Sequence, residues 1–194
     1  MFNYKFFLIL LFFIYIPSTT YGNDIPKDTL NKIQNLIKLH ADTVACKMSP
    51  EEAKKIEVFL IDNHNPGFET YYVGWAGDLG CLGGNRTEEY IISEVNAVGN
   101  DLSRYGFIVA NDDAFQEEKN PQLSNVFDGI ESIKHPTIDT FEIISGAHKD
   151  ANCGEGPGIR LPAALYSYLL ISKDYGQSWK IAQKKFLQCT NDIK

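Results

Sequence analysis

Eight short runs of β-branched and aromatic residues, each closed by a turn signal, dominate the chain beyond residue 56. They cover 56–61, 70–75, 89–95, 105–110, 130–134, 138–144, 165–171 and 179–186. Residues 130–134 and 138–144 alternate apolar with polar side chains, the period-two pattern of a half-buried strand. Asn63-His64-Asn65-Pro66-Gly67 is a turn by composition, and Pro136 should end the fifth run. Strands this short and this regularly punctuated pair with their sequence neighbours, so an antiparallel, meander-like sheet follows. One helix precedes it. Asp24 is the expected cap, Pro26 lies in the first turn, and Leu30, Ile33, Ile37 and Val44 recur at near-helical spacing. Ser49-Pro50-Glu51-Glu52 predicts a second, short helix ending near Lys55. The polar, acidic stretch 111–128 reads as a long surface loop. The predicted class is α+β, mainly β: an N-terminal helix within 23–48 packed on about eight antiparallel strands within 56–188.

Residues 1–22 stand apart and read as a signal peptide. Lys5 precedes an 11-residue apolar core, Phe6 to Ile16, and small residues at Thr20 and Gly22 suit cleavage before Asn23. The apolar run is shorter than the roughly 18 residues a membrane span needs, so no stable anchor is expected after cleavage. What remains, 23–194, has the size of a single domain that buries about two thirds of its unfolded surface. The leader holds one lysine and no acid, so the net charge of −7 for the whole chain becomes −8 for the domain. An acidic domain with only three arginines, Arg86, Arg104 and Arg160, lacks the basic clusters that phosphate backbones require. Nucleic acid is therefore excluded as a partner, and a secreted or periplasmic location is expected.

Four cysteines, Cys46, Cys81, Cys153 and Cys189, follow the leader. An even number in an exported chain predicts disulfide staples, and the spacings match neither a redox C-x-x-C nor a zinc ribbon. Three connectivities are open. In a simple meander an even number of reversals separates the loops around Cys81 and Cys153. Both loops then emerge at one rim, which favours Cys81–Cys153, with Cys46–Cys189 tying the helix end to the C-terminus.

Those two loops are the expected recognition site. The first, 74–87, is Gly-rich around Cys81; the second, 148–158, repeats the order of an acid, a cysteine and then glycines. Loops on a rigid sheet are where binding residues concentrate. The candidate binding residues are Trp75, Asp78, Arg86, His148, Asp150 and Asn152. No cofactor is expected. Asp78, His148, Asp150, Asn152 and Glu155 supply donors for Ca2+, but the spaced pattern of an EF-hand loop is missing. Tyr71, Tyr72, Trp75 and Tyr90 lie on strands beside the first loop, where they serve either an interface or the core.

Ser172-Lys173-Asp174-Tyr175-Gly176-Gln177-Ser178-Trp179 resembles an Asp-box, the S-x-D-x-G-x-[ST]-W hairpin of sialidases and other β-proteins. The resemblance covers these eight residues alone. It implies a structural role for Ser172, Asp174, Gly176 and Trp179: Asp174 accepting turn N–H groups, Gly176 taking an unusual backbone angle, Trp179 buried beneath. Sialidase propellers repeat the box, and a chain of this length with one copy is no propeller. No G-x-S-x-G elbow is present, and no catalytic residue is assigned. The expected function is a non-catalytic exported module that binds a protein, in an inhibitor or immunity-like role, or a glycan. The alternatives are a small secreted hydrolase with an acidic site at the same rim and a Ca2+-stabilised structural domain.

Overall fold

A computed structural model describes residues 25–45, 55–78, 89–99, 106–115, 120–123, 126, 129–156 and 162–190. The predicted leader, the short helix expected from Ser49, and most of the first Gly-rich loop lie outside the described residues. Among the described residues the chain is mainly β with one α-helix, and every long strand pair is antiparallel. Helix α1 (Lys27–Val44) leads into β1 (Glu57–Asp62), β2 (Thr70–Gly77), β3 (Glu89–Val98) and β4 (Gly106–Asn111). Then come β5 (Ile130–Thr137), β6 (Thr140–Ala147), the short β7 (Lys149–Asp150) and β8 (Gly154–Glu155), β9 (Ala164–Ile171) and β10 (Lys180–Cys189). The eight long strands are the eight predicted runs, and β7 with β8 adds a small hairpin.

The strands divide into two four-stranded sheets, ordered β1-β2-β3-β4 and β10-β9-β6-β5. Each is a meander. The first sheet is the middle of three layers. One face meets α1 through Ile33, Ile37 and Ala41, which recur every four residues along the helix and pack with Tyr71, Val73, Trp75, Ile91 and Val95. The other face meets the second sheet through Phe59, Ile61, Tyr72 and Ile92 against Ile133, Phe141, Ile143, Tyr168 and Leu170. Strand β2 is thus covered on both sides. That is why Tyr71-Tyr72-Val73 reads as a continuous apolar run without alternation. Each fully buried isoleucine on α1 contributes roughly 1.5–3 kcal/mol of transfer free energy.

Three local expectations change. The helix begins two residues later than an Asp24 cap would set it: Pro26 precedes it in extended conformation, and no side chain caps the start. Pro136 does not end β5; it sits inside the strand where the register with β6 shifts, and β5 is a sheet edge, the one place a missing N–H is tolerated. The stretch after β4 is not simply a surface loop. It crosses from one sheet to the other and inserts Ala114, Phe115, Leu123 and Val126 into the inter-sheet core. Phe115 there meets Tyr72, Phe141 and Trp179 edge-on, with ring centroids 5.1 to 5.5 Å away.

Candidate functional site

Strand register identifies the end of the sandwich that carries the Cys loops. Ala76 and Tyr90, where β2 ends and β3 begins, share a cleft of about 510 Å³ with Ile130 to Ile133 at the start of β5. Ile130 pairs with Ser145 near the end of β6. The exits of β2 and β6 therefore lie at one end. Lys55, Glu57 and Glu131 also line the cleft. The Tyr90 hydroxyl donates to Glu57 Oε2 at 2.8 Å. Burial, and then the Glu57 charge, push its phenol far above the ordinary tyrosine range.

The second Cys loop is the hairpin β7–β8 with the turn between its strands. Its bridge is Cys153–Cys189. This corrects the favoured pairing of Cys81–Cys153 with Cys46–Cys189. The reason is topological: β9 runs away from this end and β10 returns to it, so Cys189, register partner of Ala164, arrives beside the hairpin. Cys46 and Cys81 lie outside the described residues. Asp150 organises the turn. Its Oδ1 accepts from the backbone N–H groups of Asn152, at 2.8 Å, and Cys153, at 3.2 Å. Its Oδ2 accepts from the Tyr166 hydroxyl. The Tyr166 bond first, and the Asn152 bond next, hold the Asp150 carboxyl below its usual value; the same bond pushes the Tyr166 phenol up to about 12.

Tyr166 anchors an exposed ledge. Its register partner on β10 is Phe186, whose ring meets it edge-on at 5.7 Å while remaining 45% exposed. The Lys184 ammonium lies 4.2 Å from the Tyr166 ring centroid and 5.5 Å from that of Tyr168, a cation–π arrangement. Sequence reading passed over Tyr166, Lys184 and Phe186. The available signal was β10 itself: an edge strand whose residues 182–188 are all exposed, with no alternation.

The five described residues of the expected binding set do not form one surface. Trp75 is fully buried under α1 and Asp78 is also buried. Arg86 lies outside the described residues. His148 and Asn152 are exposed on the β7–β8 hairpin, and Asp150 is half-buried as its pin. Trp75 belongs to a partly buried chain of hydrogen bonds that sequence reading did not foresee. Its Nε1–H donates to Ser93 Oγ at 2.7 Å, Ser93 donates to Asp112 at 2.6 Å, and both Asp112 oxygens lie 2.9 Å from His40 Nε2. A serine hydrolase places imidazole between hydroxyl and carboxylate. Here the carboxylate is in the middle and Ser93 is fully buried, so the chain clasps α1 to the sheet. Among the described residues, no group of three or more His, Cys, Asp or Glu is placed to hold a metal ion, and no helix is long and apolar enough to cross a membrane.

At the opposite end of β9 the hairpin 172–179 is held by its own side chains. Ser178 donates to Asp174 through both its backbone N–H, at 2.9 Å, and its hydroxyl, at 2.5 Å. Ser172 Oγ donates to Asp174 and accepts the Gly176 N–H at 2.9 Å. The Ser178 hydroxyl bond leads the set that keeps Asp174 below the usual carboxyl range. The Tyr72 hydroxyl donates to the Gly176 carbonyl at 3.0 Å and accepts from Trp179 Nε1 at 3.2 Å, which ties the hairpin to the first sheet.

These features define the class: a three-layer α/β/β domain with a disulfide-fixed hairpin at one end and a side-chain-braced hairpin at the other. Compared with known families, curated proteins and solved structures, the chain matches none.

Proposed function

We infer that the protein is a non-catalytic exported module that recognises a protein partner at its Cys-loop end. The observation that carries this reading is the ledge of exposed Lys184 and Phe186 on half-buried Tyr166, held in place by Asp150 and by Cys153–Cys189. Aromatic and cationic side chains held rigid before binding lose little entropy on contact, the usual character of an interface hot spot. Export is supported by the leader-like residues 1–22 and by a disulfide, which persists in oxidising compartments. The net charge of −8 for residues 23–194 favours faster encounter with a basic partner. The resemblance of 172–179 to an Asp-box adds a structural element and no activity. The hydrolase alternative is weakened at Asp150. Its carboxyl accepts three hydrogen bonds and is held ionised at neutral pH, a poor proton donor for a glycosidase-type pair.

The test is quantitative capture from the native compartment by immobilised wild-type chain and by Phe186→Ala and Lys184→Ala variants. Both side chains are exposed, so the variants should melt like the wild type. A partner retained by the wild type should be lost by at least about tenfold, some 1.4 kcal/mol, in each variant. Equal retention by all three proteins removes the ledge as the binding surface.

A further inference from the structure

The turn at the far end of β9 carries a residue that its backbone disfavours. Tyr175 has φ +57° and Gly176 φ +80°, and the Gln177 N–H donates to the Asp174 carbonyl at 3.2 Å. Two left-handed residues in succession make a type I′ turn, whose first central position normally holds Asn, Asp or Gly. Tyrosine there is strained. Burial does not compensate it, because the side chain is 52% exposed. The ring instead leans on His64, centroid to centroid 4.0 Å at 61°. His64 is itself exposed and fixed from below: Asp62 Oδ1 accepts its backbone N–H at 2.9 Å and lies 2.7 Å from its Nδ1. Phe68, on the same β1–β2 connection, is 59% exposed. Local strain that packing does not explain marks a functional position more often than an accident.

The surroundings say what the position suits. In sequence the exposed side chains flanking His64 and Tyr175 are the amides Asn63, Asn65 and Gln177, together with Lys173. Asp174 is engaged within the turn and Asp62 with His64. Each amide both donates and accepts hydrogen bonds. A neutral sugar offers the complement: hydroxyls that donate and accept around a ring whose C–H face packs on an aromatic. We propose that Tyr175 and His64, flanked by Asn63, Asn65 and Gln177, form a binding site for a neutral oligosaccharide. The site lies beyond the far end of β9 from the ledge, with roughly 17 Å of strand between Tyr166 and Ile171, and does not depend on that reading.

The experiment probes the oxidised chain on a printed array of neutral hexose and N-acetylhexosamine oligosaccharides, with Tyr175→Asn and Phe186→Ala variants in parallel. Asparagine suits the left-handed position, so Tyr175→Asn should melt no lower than the wild type. It should bind the retained oligosaccharide at least tenfold more weakly, whereas Phe186→Ala should bind it as the wild type does. Three outcomes overturn the proposal: no oligosaccharide retained by the wild type, equal binding by Tyr175→Asn, or Tyr175-dependent capture of a protein with no sugar competing.

Discussion

Two glycines with nearly the same backbone angle separate conformational strain from steric exclusion. Gly154 has φ +77° in the β7–β8 hairpin and Gly176 has φ +80° in the β9–β10 turn. A Cβ added at Gly154 would meet nothing within 4 Å. At Gly176 it would lie 2.3 Å from Cγ2 of Ile61, a side chain fully enclosed between the sheets. For Gly154→Ala only the left-handed backbone matters, about 1–2 kcal/mol, partly offset by the reduced freedom of the unfolded chain. The net loss should be about 1 kcal/mol. Gly176→Ala incurs the same cost plus the displacement of a packed core side chain, roughly 1–3 kcal/mol more. Pushing the turn away from Ile61 also stretches the bond from the Tyr72 hydroxyl to the Gly176 carbonyl. The expected total is about 3 kcal/mol, a large part of the 5–15 kcal/mol that stabilises an ordinary domain. Urea unfolding of the oxidised protein, with midpoints compared at a common slope, measures both losses. The difference between the variants is the informative quantity. If they agree within about 0.5 kcal/mol, the hairpin is not pressed against Ile61 and its rigid attachment to the first sheet fails with it.

His135 should make the fold sensitive to mild acid. Burial pushes its imidazole down to about 4 beside Phe141 and Phe59. Because the folded form takes up its proton only below the unfolded value of 6.5, stability is complete above pH 6.5 and falls as pH drops toward 4. After allowance for its partial exposure the loss is roughly 1–2 kcal/mol. Melting temperatures of the wild type and His135→Gln should diverge in that window, and parallel curves would refute the burial. Loss of Cys153–Cys189 through a Cys153→Ser, Cys189→Ser double variant should cost about 4 kcal/mol in the chain-entropy model for a separation of 36 residues. Hydrogen exchange should rise at the Gly156 N–H, which donates to the His148 carbonyl. With that bridge assigned, Cys46 and Cys81 have only each other as partners within the chain, and Ala45, next to Cys46, packs against Gly77, four residues before Cys81. A non-reducing peptide map should join them, and alkylation of either before reduction would disprove the pairing.

The eight strands were legible because each carries enough β-branched and aromatic residues, and is closed by a clear enough turn, to be recognised alone. Their division into two sheets was not, because it depends on the crossing between β4 and β5. That segment inserts Ala114, Phe115, Leu123 and Val126 at spacings that follow neither a helix nor a strand, within acidic text that averages to a surface loop. The disulfide pairing failed for a narrower reason. Counting reversals correctly placed the exits of β2 and β6 at one end. Continued through β9 and β10, the same count brings Cys189 to that end too, so three cysteine-bearing segments compete where two were considered. Parity decides which end a cysteine occupies; only the register of β10 against β9, and the hairpin folded beside it, decide its partner.

The candidate site shows the same limit from the other side. Beside a glycine-rich loop, Trp75 reads as a candidate binding residue, while Tyr71, Tyr72 and Tyr90 read as serving either an interface or the core. A strand that reads Tyr-Tyr-Val-Gly-Trp without alternation is apolar on both faces, and such a strand belongs between two layers. The run that suggested a site was therefore evidence of burial. Tyr175 carried the opposite signal in the same sequence. It follows Asp174 and precedes Gly176, in a turn whose first central position asks for Asn, Asp or Gly, and no neighbouring pattern gives its ring a core to enter. An aromatic residue that violates the local rule of a turn is harder to attribute to packing than one that satisfies the rule of a strand. Residues that break a local preference without entering the core are thus the better guide to function in a chain whose strands already account for most of its buried aromatics.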